Sequence, residues 1–92
     1  MDLTEPEMWI IRHIYPEEFQ KYYEDNYLAL KQFIVTNGRY PSEYQDNGRK
    51  YKATHPERLL AIFVQNAKSN FGNPSVKQLM NYVPDWQWPP GI

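Results

Sequence analysis

Apolar residues recur at three- and four-residue steps along four stretches of this chain, and proline or glycine punctuates the gaps. Thr4-Glu5-Pro6-Glu7 has the form of a helix start. Threonine can cap, proline suits the first turn, and a glutamate three residues after the cap can reach back to its amide. A helix over about residues 5–14 follows, with Met8, Trp9, Ile11 and Ile14 as its apolar positions. Pro16 disfavours helical geometry at Tyr15 and can begin the next helix, whose amino end Glu17 and Glu18 favour through the macrodipole. Phe19, Tyr23, Tyr27, Leu30, Phe33 and Ile34, widened by Leu28 and Val35, carry that second helix to Asn37. Gly38 can close it in the left-handed conformation, and Pro41 blocks an easy restart.

Residues 39–54 lack apolar periodicity and hold only a Gly48 turn among tyrosines and bases, which predicts a loop. Thr54-His55-Pro56-Glu57 then repeats the first helix start in the same form. The third helix places Leu59, Leu60, Phe63, Val64, Ala67 and Phe71 inward and stops at Gly72. Asn73-Pro74 caps a fourth, with Val76, Leu79, Met80 and Val83 apolar, and Pro84 ends it. The tail turns back through Trp86 and Trp88 before Pro89-Pro90-Gly91. Alternate residues of an extended tail face opposite sides, so one tryptophan plugs the bundle and the other covers a rim. Phe33, Leu60 and Phe63 are core positions. The fold class is all-α: a compact three-helix bundle with an additional N-terminal helix and a Trp-x-Trp C-terminal tail.

Composition narrows the chemistry. With 92 residues the chain makes one domain, and a domain of this size buries only roughly 60–65% of its unfolded surface. Eight tyrosines, four phenylalanines and three tryptophans supply a dense core, and each buried tyrosine needs a partner for its hydroxyl. The absence of cysteine excludes disulfides, thiolate metal sites and cysteine catalysis, and favours an intracellular setting, cytoplasm or nucleus. Neither a membrane span nor a signal pattern is present in the sequence. The net charge of −1 hides an asymmetry. Acidic residues dominate positions 1–30, whereas Lys31, Arg39, Arg49, Lys50, Lys52, Arg58, Lys68 and Lys77 dominate positions 31–80. A basic face for a polyanion, or attraction between two parts of one fold, accounts equally for that split.

The order of these landmarks resembles one family. Tyr23, Tyr27 and Leu30-Lys31-Gln32-Phe33 are followed by Gly38 and Pro41. Then come Glu57-Arg58-Leu59-Leu60-Ala61-Ile62-Phe63-Val64 and Val83-Pro84-Asp85-Trp86-Gln87-Trp88. In this order they resemble the helicase-associated domain, a small three-helix module found beside helicase domains and in proteins of large DNA viruses. The resemblance covers about two-thirds of the chain, residues 23–92, and leaves residues 1–22 as an N-terminal helical extension. Leu60-Ala61 stands where the family has leucine-glycine. Gln65-Asn66-Ala67-Lys68 stands where it has glutamine-arginine, so the family's usual arginine is missing. The resemblance implies nucleic-acid binding, to DNA or RNA.

The residues support that role independently. Arg39, Arg49, Lys50, Lys52, Arg58 and Lys68 can meet phosphates without sequence choice. Tyr40, Tyr44 and Tyr51 lie among them, suited to stacking on unpaired nucleotides. An enzyme is not expected. His13 and His55 stand far apart outside any metal-ligand spacing, the four glycines form no phosphate loop, and nothing calls for a metal or cofactor. The competing reading is a protein-binding adaptor or small inhibitor that engages a partner through the acidic, apolar Trp9 helix. An exposed apolar patch around Trp9 favours the protein partner, and a basic face with exposed tyrosines favours nucleic acid.

Overall fold

Thr4 and Glu7 form the helix start that their spacing predicts. The Thr4 amide donates to Glu7 Oε1 at 2.8 Å and the Glu7 amide donates back to Thr4 Oγ1 at 3.4 Å. The computed structural model describes residues 3–89, so Asp2 and Pro90-Gly91 lie outside the described residues. Helix α1 runs Glu5–Ile11, shorter than the spacing predicts. Its last turn tightens through three-residue bonds from His13 to Ile10 and from Ile14 to Ile11, ahead of the restricted Tyr15-Pro16 pair. The Gln20 side chain then donates to Arg12 O and Ile14 O at 3.0 and 3.1 Å, serving carbonyls that the helix end leaves open.

A 3₁₀ turn at Glu17–Phe19 leads into α2, Gln20–Asn37. Gly38 closes α2 at φ +68° with its amide on Ile34 O, as expected of a left-handed stop. Tyr23, Tyr27 and Leu30 form the buried face of α2, with Ile34 packed beside them, whereas Phe19 and Val35 are exposed. The apolar stripe is therefore narrower than its sequence pattern. Helix α3 spans Pro56–Ser69, and its cap is His55 rather than Thr54. His55 Nδ1 accepts from the Glu57 amide at 3.2 Å, which sets Glu57 one position nearer the cap than Glu7 stands in α1. Phe63, Val64 and Ala67 face the core, Leu60 packs beside them, and Leu59 and Phe71 are exposed. The helix ends before Gly72, with the Asn70 amide turned back to Ala67 O.

Asn73 Oδ1 caps α4, Pro74–Met80, by accepting from Ser75 and Val76. Its amide group donates to Tyr15 O at 3.0 Å, fixing the start of α4 against the α1–α2 link. Val76, Leu79, Met80 and Val83 join Ile10, Ile11, Ile14, the α2 face and the α3 face in one core. Trp86 and Trp88 are both partly buried against it, with rings at 5.4 Å edge to face, so they share the covering role instead of dividing it. The described residues thus fold as four α-helices without a named strand, and their Cα radius of gyration is 13.3 Å. No described helix is long and apolar enough to cross a membrane.

Candidate nucleic-acid interface

The chain between α2 and α3 forms an ordered hairpin, with Tyr44 bridged to Lys50 across a Gly48 turn at φ +83°. Backbone bonds from Gln45 to Arg49 O at 2.7 Å and from Tyr51 to Glu43 O at 2.9 Å hold the two arms together. Glu57 fastens that hairpin to α3. Its buried carboxylate accepts from Arg39 at 2.8 and 3.3 Å, from the Ser42 amide at 2.9 Å and from the Tyr51 hydroxyl at 3.3 Å. The Arg39 bond holds the Glu57 carboxyl below its ordinary range, aided by Ser42 and Tyr51 and opposed by burial.

Several of the expected contact residues are therefore engaged in bracing the hairpin, with the Arg39 side chain still half-exposed. Arg39 is tied to Glu57 and also lies over the Phe33 ring at 5.2 Å. Arg58 donates to Tyr51 O at 2.8 Å and sits 3.7 Å from Glu43, which also accepts from Gln65. Tyr51 stacks on His55 with centroids 4.0 Å apart. The Tyr40 hydroxyl donates to Pro84 O, and its ring leans on Trp86. Burial moves the Tyr40 hydroxyl's titration upward, with the Asp85 charge adding to it.

A different subset faces outward. Arg49, Lys50 and Lys52 are exposed, and none of the three makes an ion pair with another described residue. Tyr44 is 50% exposed, and the Lys50 ammonium lies 5.6 Å from its ring centre. Between this hairpin and α3 lies a cleft of about 350 Å³, lined by Tyr40, Tyr44, Gln65 and Lys68 among others. Lys68 stands over the Trp86 ring at 5.3 Å. The nine expected residues thus divide into Arg39, Tyr51 and Arg58, which brace Glu57 and Glu43, Tyr40, which is held on Pro84 and Trp86, the exposed Tyr44, Arg49, Lys50 and Lys52, and a half-buried Lys68 over Trp86.

Glu7 forms a second hub on the opposite side of the sequence's charge divide. Its side chain is fully buried, accepts from the Tyr27 hydroxyl, and pairs with Lys31 Nζ at 2.7 Å. Burial pushes the Glu7 carboxyl up, but Lys31, Tyr27 and Thr4 together outweigh it and bring it down to about 2 from an ordinary 4.5. Burial, followed by that same carboxylate, pushes the Tyr27 hydroxyl upward. Within α1, Trp9 is 59% exposed, with its ring 4.1 Å from that of His13. Among the described residues no group of three or more His, Cys, Asp or Glu side chains is arranged to hold a metal ion.

Glu7, Glu43 and Glu57 were not singled out as organising residues by the apolar pattern. The sequence signal for two of them is the repeated Thr-x-Pro-Glu, which sets a carboxylate at the start of a helix beside a neighbouring element. No protein-family model, curated protein or solved structure matches this chain.

Proposed function

We propose that this chain is a non-catalytic module that binds nucleic acid, with α2, α3 and α4 as a three-helix unit and α1 as an addition to it. The single observation that carries this reading is Tyr44. Its half-exposed ring stands at the mouth of the hairpin–α3 cleft beside Lys50, with Arg49 and Lys52 on the same hairpin. A ring flanked by free cations suits one unpaired base stacked on tyrosine while its phosphates meet the bases on either side. Lys68 supports a further phosphate from the α3 side of the cleft. Arg39, Arg58, Tyr40 and Tyr51 shape the surface and do not touch the ligand. The resemblance to the helicase-associated domain agrees with this role, and the missing arginine makes the hairpin the main contact. Ultraviolet crosslinking to a single-stranded oligonucleotide tests it: adducts belong on the peptide containing Tyr44. Adducts confined to α1 or α4 would remove the hairpin from the reading.

A second reading rests on the exposure of Trp9. That ring, with Met8 beside it, is a surface that a protein partner can cover. Trp9→Glu leaves nucleic-acid binding intact if the hairpin is the site, and abolishes capture of a partner if α1 is the docking helix.

A further inference from the structure

The cleft between the hairpin and α3 holds one acidic side chain, which phosphate contact does not use. Its apolar lining is Pro41 with the buried Ala61 and Val64. Glu43 lines it from the hairpin and Gln65 from α3, and the Gln65 amide nitrogen donates to Glu43 Oε2 at 3.1 Å. The Glu43 side chain is only 22% exposed. Its other oxygen, Oε1, stands 3.7 Å from Arg58 Nε, beyond hydrogen-bond length. That buried Nε has no hydrogen-bond partner among the described residues. Arg58 thus offsets the charge of Glu43 without filling its acceptor sites. The Gln65 amide nitrogen keeps a second hydrogen that no described residue accepts.

The backbone that carries this carboxylate is fixed. The Ser42 amide donates to Glu57 at 2.9 Å, the Tyr44 amide to Ser42 Oγ at 3.1 Å, and the Tyr51 amide to Glu43 O at 2.9 Å. Glu43 is therefore presented at a set position next to Tyr44, so little ordering is left for a ligand to impose. A half-desolvated carboxylate repels phosphate and requires donors. Of the Watson–Crick edges, only that of guanine has two adjacent donors, N1–H and the N2 amine, with the O6 acceptor beside them. Adenine and cytosine set one amine beside an acceptor nitrogen, and thymine and uracil set one N–H between two carbonyls.

We propose that the cleft selects guanine from an unpaired strand, an inference that rests on the nucleic-acid reading above. The base stacks on Tyr44, donates from N1 and N2 to the Glu43 carboxylate, and accepts at O6 from the second hydrogen of the Gln65 amide. The phosphates on either side stay outside the cleft, on Arg49, Lys50 and Lys52.

The test uses the full chain and short labelled thymidine strands that carry guanine, adenine, cytosine, thymine or hypoxanthine at one central position, compared by anisotropy at low salt. The guanine strand should bind about five- to tenfold more tightly than the all-thymidine strand, the lower end of what a bidentate base contact gives, since the cleft is open to water. Hypoxanthine lacks the N2 amine and should forfeit much of that advantage. Glu43→Gln should bring the guanine-to-thymine ratio close to one. The base series uses the unaltered chain, so it decides the matter even where Glu43→Gln loosens the hairpin. Equal binding of the four bases, a preference for adenine or cytosine, or hypoxanthine bound as tightly as guanine would each overturn the guanine inference and leave nucleic-acid binding standing. An undiminished ratio in Glu43→Gln would do the same. No binding of any strand would overturn both.

Discussion

Arg39 and Glu57, at opposite ends of the hairpin, are joined by two hydrogen bonds of 2.8 and 3.3 Å. The pair closes the hairpin like a clasp, because the same carboxylate also holds the Ser42 amide and the Tyr51 hydroxyl. An arginine that sequence alone offers to phosphate is instead the support on which Tyr44 and Lys50 are displayed. Binding and bracing are thus divided among the basic residues.

That division is testable by substitution. Glu57→Gln keeps the size of the side chain but loses the charge that Arg39 answers. It is expected to cost about 1–3 kcal/mol of stability, the usual range when a buried hydrogen-bonded group loses its partner. Chemical denaturation measures this, and hydrogen exchange should quicken at Ser42 and Tyr51. A variant as stable as the parent would mean that the hairpin holds without its clasp.

Arg49→Ala with Lys50→Ala makes the complementary case. Both side chains are exposed and unpaired with any described carboxylate, so the melting temperature should stay near that of the parent. Single-strand affinity should fall, and the slope of log K against log salt should flatten by about 1.4, from roughly 0.7 per lost phosphate contact. A parent-like slope would show that these cations do not meet phosphate.

Acid should weaken the fold through Glu7. In the folded chain its carboxyl titrates near 2, against an ordinary 4.5. Its contribution is therefore complete above pH 4.5, is lost as pH falls between those two values, and is gone below the lower one. The depression of Glu57 acts in the same direction. Thermal melts from pH 7 to pH 2 should show this loss, and Glu7→Gln should be less stable at neutral pH with a flatter profile. An acid-insensitive parent would contradict the Glu7 hub.

The buried Trp86 indole N–H has no hydrogen-bond partner among the described residues. Trp86→Phe removes the orphan donor along with part of the ring, so its net cost should stay within about 1 kcal/mol. Trp86→Ala should cost about 2–3 kcal/mol, short of the ~3–5 of a fully buried ring. Urea melts of the two variants decide this, and equal destabilisation by both would assign the indole N–H a partner.

The helices were legible where local chemistry acts alone. Thr4, Gly38 and Asn73 cap as their residue types require, and Phe63, Leu79 and Val83 are buried as their spacing predicts. Legibility failed where tertiary contact decides. Val35 and Leu59 sit on apolar stripes but at their margins, beyond the reach of a core this small. By contrast, the cap of α3 is local: His55, placed before Pro56 at a helix start, accepts the Glu57 amide through an imidazole nitrogen. The site was legible in part: the hairpin's bases and tyrosines were all candidates, but their division depends on Glu43 and Glu57. A carboxylate at a helix start ordinarily faces solvent. The burial of Glu57 here depends on Arg39, Ser42 and Tyr51 arriving from the hairpin, which no local pattern encodes.

The most direct measurement is fluorescence anisotropy of labelled single- and double-stranded oligonucleotides, titrated with the chain at low and at physiological salt. Saturable binding, stronger for the single strand and steeply weakened by salt, is expected of a half-exposed Tyr44 among free cations. No binding even at low salt would contradict the nucleic-acid reading and leave the Trp9 surface as the leading site.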